Sequence, residues 1–298
     1  MTRNSYESIS CDFNSYTDAY FPDTSKILEV TLVTAFFDLG SFAKGDKNNV
    51  YTPTKYKEWM HIFENIHNPL YVYVDSEEYQ KFFETIRRNM TSKTKVILID
   101  RDSLESFRLK DNISAIFSNP KYPKHLPNTV IPEYSCAMHA KYDVMTQSVR
   151  DNAFNTNFFA WLDIGYFRDL VNTTYQPFQI HLPPCFDVTK VAFNEIFSLK
   201  NRTLRQIVDH NEVWVGGGLF FAERSVMLQW ARDYKYYTEK FIHLGLMSTD
   251  QQVIYAMRQP TIHKELGKRR VAIQEYHVKY VENNWFGLGY LCKKQITL

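Results

Sequence analysis

Apolar residues fall into two rhythms along this chain. In 27-ILEVTLVTAFFDLG-40, 70-LYVYVD-75 and 95-KVILID-100 they run almost unbroken over short stretches, the pattern of strands buried on both faces. Between those runs they recur at helical spacing. Tyr56, Trp59, Met60, Phe63 and Ile66 predict a helix over 54–67, and Tyr79, Phe82, Phe83 and Ile86 the inner stripe of a second. Asp75, with Glu78 three residues on, has the form of a capping box for that second helix. The series β-α-β-α-β predicts an α/β fold whose central sheet is mostly parallel and covered by helices on both faces.

Prolines then break the rhythm: four of them in 119-NPKYPKHLPNTVIPEY-134 demand a loop. A helix over 133–151 follows, with Tyr134, Ala137, Met138, Lys141, Met145 and Val149 along one side. It leads into 157-NFFAWLDIGYFRD-169, a buried strand that stops on Asp163. Past Pro177, Pro183 and Pro184 lies 212-EVWVGGGLFFAER-224, read as a strand broken by three glycines. A long helix over 224–243 ends at Gly245, another starts at Ser248-Thr249-Asp250 and ends near Pro260, and 271–290 holds one more strand and a glycine-rich finish. Residues 1–26 are polar and without apolar period, so they read as an N-terminal arm, and 27–298 as a single domain.

Composition narrows the classes. The 298 residues, 44% hydrophobic and 23% charged, suit a globular domain with a core of its own. A net charge of +2 excludes nucleic-acid binding by bulk electrostatics. Cys11, Cys136, Cys185 and Cys292 lie far apart without CxxC pairing and give no sign of a disulfide framework, which predicts a reducing compartment. No apolar run reaches the roughly 18 residues of a membrane span and the N-terminus has no signal-peptide core. The expectation is a cytoplasmic protein without a transmembrane segment, with peripheral membrane association left open.

Ligands of open α/β sheets bind beyond the carboxyl ends of the strands, and Asp38, Asp75, Asp100 and Asp163 stand at or just after such ends. Asp163, in a turn opened by Gly165, suits a hard divalent cation, or caps the turn, or pairs with Arg168. Glycines 216–218 mark either a bulge or a close approach of ligand to backbone. Asp250 sits in the first turn of a helix, as a dipole-favoured anion or as a general base. His277 is either a metal ligand or a filler. The chain has no GxxxxGK[ST], and no GxGxxG follows the first strand, which removes the main support for phosphate-loop and dinucleotide readings.

The block 161-WLDIGYFR-168, with VTAFFDLG before it and WVGGGLFFAE and STDQQV after it, resembles the HtrL/YibB family over about residues 28–290. That family in turn resembles nucleotide-sugar glycosyltransferases of the GT-A fold, which is related to the Rossmann fold. The resemblance implies a transferase moving a hexose from a nucleotide diphosphate sugar, UDP-sugar first, to a glycan, lipid-linked or protein-linked acceptor. The alternative is a non-catalytic glycan- or nucleotide-binding module on the same fold. By the same resemblance Thr34, Ala35 and Phe36 would contact the nucleoside, and Lys141 the donor phosphates or base. Gly217 and Gly218 would border the acceptor, with Asp250 its acid, and Asp163 with His277 would hold Mn²⁺ or Mg²⁺. One departure stands out: where the related enzymes carry Asp-x-Asp, this chain has Asp163-Ile164-Gly165.

Overall fold

A computed structural model describes residues 29–171, 176–267, 270–278 and 283–297; the expected arm, 1–26, lies outside them. The strands in chain order are β1 (Val30–Phe36), β2 (Phe42–Lys44), β3 (Asp46–Tyr51), β4 (Leu70–Val74), β5 (Thr94–Leu98), β6 (Phe158–Leu162), β7 (Phe178–Ile180), β8 (Lys190–Glu195), β9 (Val215–Glu223), β10 (Ala272–Tyr276) and β11 (Lys293–Gln295). The helices are α1 (Pro53–Met60), α2 (Glu77–Ile86), α3 (Glu105–Arg108), α4 (Lys110–Ser118), α5 (Pro132–Asp151), α6 (Leu204–Asp209), α7 (Arg224–His243), α8 (Asp250–Met257), α9 (Pro260–Leu266) and α10 (Gly287–Cys292).

Seven strands form the central sheet in the order β10-β8-β9-β6-β1-β4-β5. Every neighbouring pair is parallel except those of β9, which runs antiparallel to both β8 and β6. The fold is therefore mixed α/β on a mostly parallel sheet, as the patterning predicts. The unbroken apolar runs are explained by burial on two faces. Leu70, Val72 and Val74 of β4, with Phe158, Ala160 and Leu162 of β6, pack with Met60, Phe63 and Phe83 in one core. Tyr71, Tyr73, Phe159 and Trp161 face the other, against Tyr142, Met145, Trp230 and Tyr234 of α5 and α7.

Several local expectations need correction. The helix expected over 54–67 stops at Met60 and continues only as a 3₁₀ turn, His61–Glu64, because Ile66 turns away to bridge Phe178. Ser76, not Asp75, caps α2: its extended backbone places the side chain to accept from the Tyr79 amide. Asp75 instead accepts from the Asp38 amide and pairs with Arg101. Helix α5 has no single inner side. Packed on β1 and β6 and under α3, α4 and α7, it buries even Lys141, His139 and Asp143. The three glycines do not break β9, which runs through them. Cys136 and Cys292 are free and buried, but Cys185 is disulfide-bonded, a pairing that sequence spacing did not signal. Among the described residues no helix is long and apolar enough to cross a membrane.

The hairpin β2–β3 has no counterpart in the sequence reading. It is polar on most positions, turns at Gly45 with φ +75°, and stands beside the end of β1.

Candidate functional site

Strands β1 and β6 are parallel neighbours, so both deliver their ends to one edge of the sheet. A cavity of about 570 Å³ opens there. The hairpin and α1 supply one wall with Phe42, Lys44, Tyr51, Tyr56 and Trp59; Trp285 and Phe286 come from the C-terminal segment. At the floor stands Lys141.

The Lys141 side chain is only 2% exposed and its three donors are all used. Nζ lies 2.9 Å from the Gly217 carbonyl oxygen, 3.1 Å from Asp250 Oδ2 and 3.2 Å from Asp163 Oδ1. It also sits 5.5 Å from the centre of the Trp161 ring, whose indole N–H donates to Asp163 Oδ1 at 2.6 Å. Burial opposes the ammonium charge, but Asp163 and Asp250 outweigh it and hold the Lys141 pKa above its usual value. Burial raises the Asp250 pKa, and Lys141 offsets only part of that.

Each partner is placed by its element. Asp163 follows the last residue of β6, and its amide donates to the Gly218 carbonyl at 2.8 Å, which prolongs the β6–β9 ladder by one bond. Asp250 opens α8 just after Thr249, which caps the helix with Gln252 in a capping box. The glycines earn their place by proximity. A Cβ on Gly217 would sit 2.4 Å from Asp250 Oδ2, and one on Gly218 would sit 3.0 Å from the Tyr166 ring. At Gly165, where a second acid was missing, a Cβ would be 2.8 Å from the Trp59 ring. Trp59 thus occupies the space that a side chain there would need.

Of the expected site residues, Ala35, Phe36, Lys141, Asp163, Gly217, Gly218 and Asp250 all line this cavity. Thr34 does not. It is fully buried in β1, with its hydroxyl unpartnered, further from the end of the strand than Ala35 and Phe36, which reach the cavity. His277 does not join Asp163 either. It lies just past β10, three strand spacings from β6, roughly 14 Å at the usual ~4.8 Å per strand. Its Nδ1 is 2.6 Å from Glu195 Oε2, and Glu275 completes an acidic group around it. Asp169 accepts from the Tyr290 hydroxyl rather than pairing with Arg168. Arg168 itself lies 4.6 Å from the Phe286 ring centre, 5.6 Å from that of Trp59, and donates to the Gly165 carbonyl.

Sequence reasoning missed Lys44, Arg168 and the aromatic wall. The one available signal was the cluster Tyr51, Tyr56, Trp59 ahead of the second strand, which reads equally well as core.

Residues 28–260 match the family model described as "Bacterial protein of unknown function (HtrL_YibB)". That span is most of the chain, and the chain belongs to this family. No curated protein matches it.

Proposed function

We propose that this HtrL/YibB protein is a glycosyltransferase of GT-A-like architecture. It moves a hexose from a nucleotide diphosphate sugar, a UDP-sugar first, to a glycan, lipid-linked or protein-linked acceptor. The observation that carries the reading is the meeting of Lys141, Asp163, Gly217 and Asp250 on the floor of one cavity at the carboxyl edge of the sheet. A volume of about 570 Å³ falls in the range of pockets that enclose ligands of nucleotide-sugar size.

The roles divide by exposure. Asp163 is 39% exposed, and with Oδ1 held by Trp161 and Lys141 it turns Oδ2 to the ligand as a hydrogen-bond acceptor for sugar hydroxyls. Asp250, 2% exposed, meets the cavity only at its floor, paired with Lys141. It positions the lysine, and the acid on the reacting side is Asp163. The backbone at Gly217 and Gly218 lets a ligand approach where a side chain would stand.

The Mn²⁺ or Mg²⁺ expected from the resemblance does not fit these residues. Asp163 offers one free carboxylate oxygen, Trp59 fills the second acid's place, and His277 is engaged with Glu195. The protein would give a divalent ion one ligand there, leaving the rest of its shell to the bound phosphates and water.

The test is incubation with UDP-, GDP- and dTDP-sugars, reading release of the nucleoside diphosphate and the melting temperature. One donor should be hydrolysed slowly by the wild type and not by Asp163→Ala. Binding without hydrolysis, unaffected by Asp163→Ala, would make the protein a binding module instead. If no nucleotide moves the melting temperature, the reading fails altogether.

A further inference from the structure

Five charged side chains line the cavity: Lys44, Lys141, Asp163, Arg168 and Asp250. Lys141 is consumed by the two acids, which together outweigh its charge. A diphosphate brought to this triad alone would meet net negative charge. The remaining two groups are both cations, and neither forms an ion pair among the described residues. Lys44 Nζ lies 5.6 Å from the Tyr51 ring centre and 5.7 Å from that of Tyr134. Arg168 is stacked near Trp59 and Phe286, with one bond to the Gly165 carbonyl. Tyr51 and Trp59 touch edge-on, 5.6 Å between centres, so the two cations stand at either end of one aromatic wall.

We infer that Lys44 and Arg168 are the anion-binding residues of this cavity and hold the phosphates of its ligand directly, without a divalent ion. The inference deepens the transferase reading and rests on it only for the nucleotide's identity. A guanidinium set between two aromatic rings, with one bond to the Gly165 carbonyl, keeps further N–H groups for phosphate oxygens. The Lys44 ammonium is exposed at the end of β2, within cation–π reach of two rings, and is open to an arriving anion. Lys141 is then a structural cation that sets Asp163, and the phosphate contacts fall to Lys44 and Arg168.

The experiment measures affinities of UDP, uridine and inorganic pyrophosphate for the full chain in EDTA, for wild type, Lys44→Gln, Arg168→Gln and the surface control Lys81→Gln. Pyrophosphate and UDP should bind without metal. Each cavity variant should weaken both by about tenfold or more, the scale of one lost charge-assisted hydrogen bond. Uridine affinity and Lys81→Gln should be unchanged, and circular dichroism should show all variants folded. Binding of UDP or pyrophosphate only with Mn²⁺, no binding of either, or wild-type affinity retained in the two cavity variants would overturn the inference. Pyrophosphate binding that needs Lys44 and Arg168, with no sugar nucleotide hydrolysed, would leave the anion site standing and remove the transferase.

Discussion

Lys141 and Asp250 form an ion pair almost without water: Nζ stands 3.1 Å from Oδ2 and each side chain is 2% exposed. Asp163 touches the same ammonium from the solvent side, 39% exposed. One buried cation therefore joins a half-exposed carboxylate to a buried one. The inner pair is the more consequential for stability, because its charges have no solvent to fall back on.

Replacing Lys141 with Met strands the Asp250 carboxylate in the interior. Urea unfolding should show a loss of about 3–5 kcal/mol, the usual cost of breaking a buried pair from one side. The double variant Lys141→Met/Asp250→Asn should recover a large part of it. If the double variant is no more stable than the single, the loss comes from packing and the account of a stranded charge is wrong.

Gly217→Ala and Gly216→Ala separate two kinds of crowding in β9. The first sets a methyl 2.4 Å from Asp250 Oδ2, which Lys141 pins in place; the second comes no closer than 3.3 Å, to the flexible end of the Ile196 side chain, with the Trp285 carbonyl at 3.7 Å. The first should cost about 1–3 kcal/mol as overpacking and disturb the Lys141 pair. The second should cost clearly less. Thermal unfolding of both variants decides it, and equal losses would count against the close approach at Gly217.

His139 predicts an acid weakness. Burial holds its imidazole neutral, with the pKa pushed down to about 3 from the ordinary 6.5. Between those values the unfolded chain binds a proton that the folded chain refuses. The contribution is thus fully present above about pH 6.5 and is lost on acidification, at up to ~1.4 kcal/mol per pH unit. His139→Gln forfeits bonds to Tyr234 and Ser135 at neutral pH but has no proton to refuse. The stability gap between wild type and variant should narrow from about pH 7 to about pH 4.5. A gap that stays constant would show that His139 does not titrate in this window.

Arg87 is the other buried cation, 1% exposed, and it answers to no carboxylate among the described residues. Its guanidinium donates to the carbonyls of Phe63, Ile66 and Asn68 and to the Thr94 hydroxyl, tying α2 to the loop before β4. Arg87→Met orphans those acceptors and should lose more than about 3 kcal/mol, at roughly 1–3 for each unsatisfied group. Arg87→Lys should rescue little, since an ammonium cannot copy the fork. Urea melts of the two variants make the comparison; full rescue by Lys would mean that charge, not geometry, is what matters there.

The parts of the site that were legible in the sequence share a cause. Asp163 and Asp250 sit where a strong apolar period stops or starts, and Gly217 and Gly218 interrupt one, so local pattern alone picked them out. Lys141 was placed on the inner side of its helix by pattern, but only the family resemblance pointed to it as a site residue. Lys44 and Arg168 were illegible because they lie on a polar hairpin and in an irregular turn, where no period exists to be broken. Pairing His277 with Asp163 failed for a different reason. Both do follow strand ends, but strand order is a long-range property, and β8 and β9 lie between them. Thr34 failed on depth: it lies further back along β1 than Ala35 and Phe36, which reach the cavity at the end of the strand.

The antiparallel course of β9 has a consequence for how the molecule comes into being. Because β9 enters the sheet from the ligand edge, its first residues, not its last, meet the end of β6, and α8 then closes behind them. Lys141 and Asp250 are 109 residues apart in the chain. Contacts of such separation form late, after the loops between them have closed. During synthesis the ammonium waits on a finished helix for an acid not yet made. The cavity floor is in this way complete only once β9 and α8 are in place, since Gly217 and Asp250 are two of the three partners that hold Lys141.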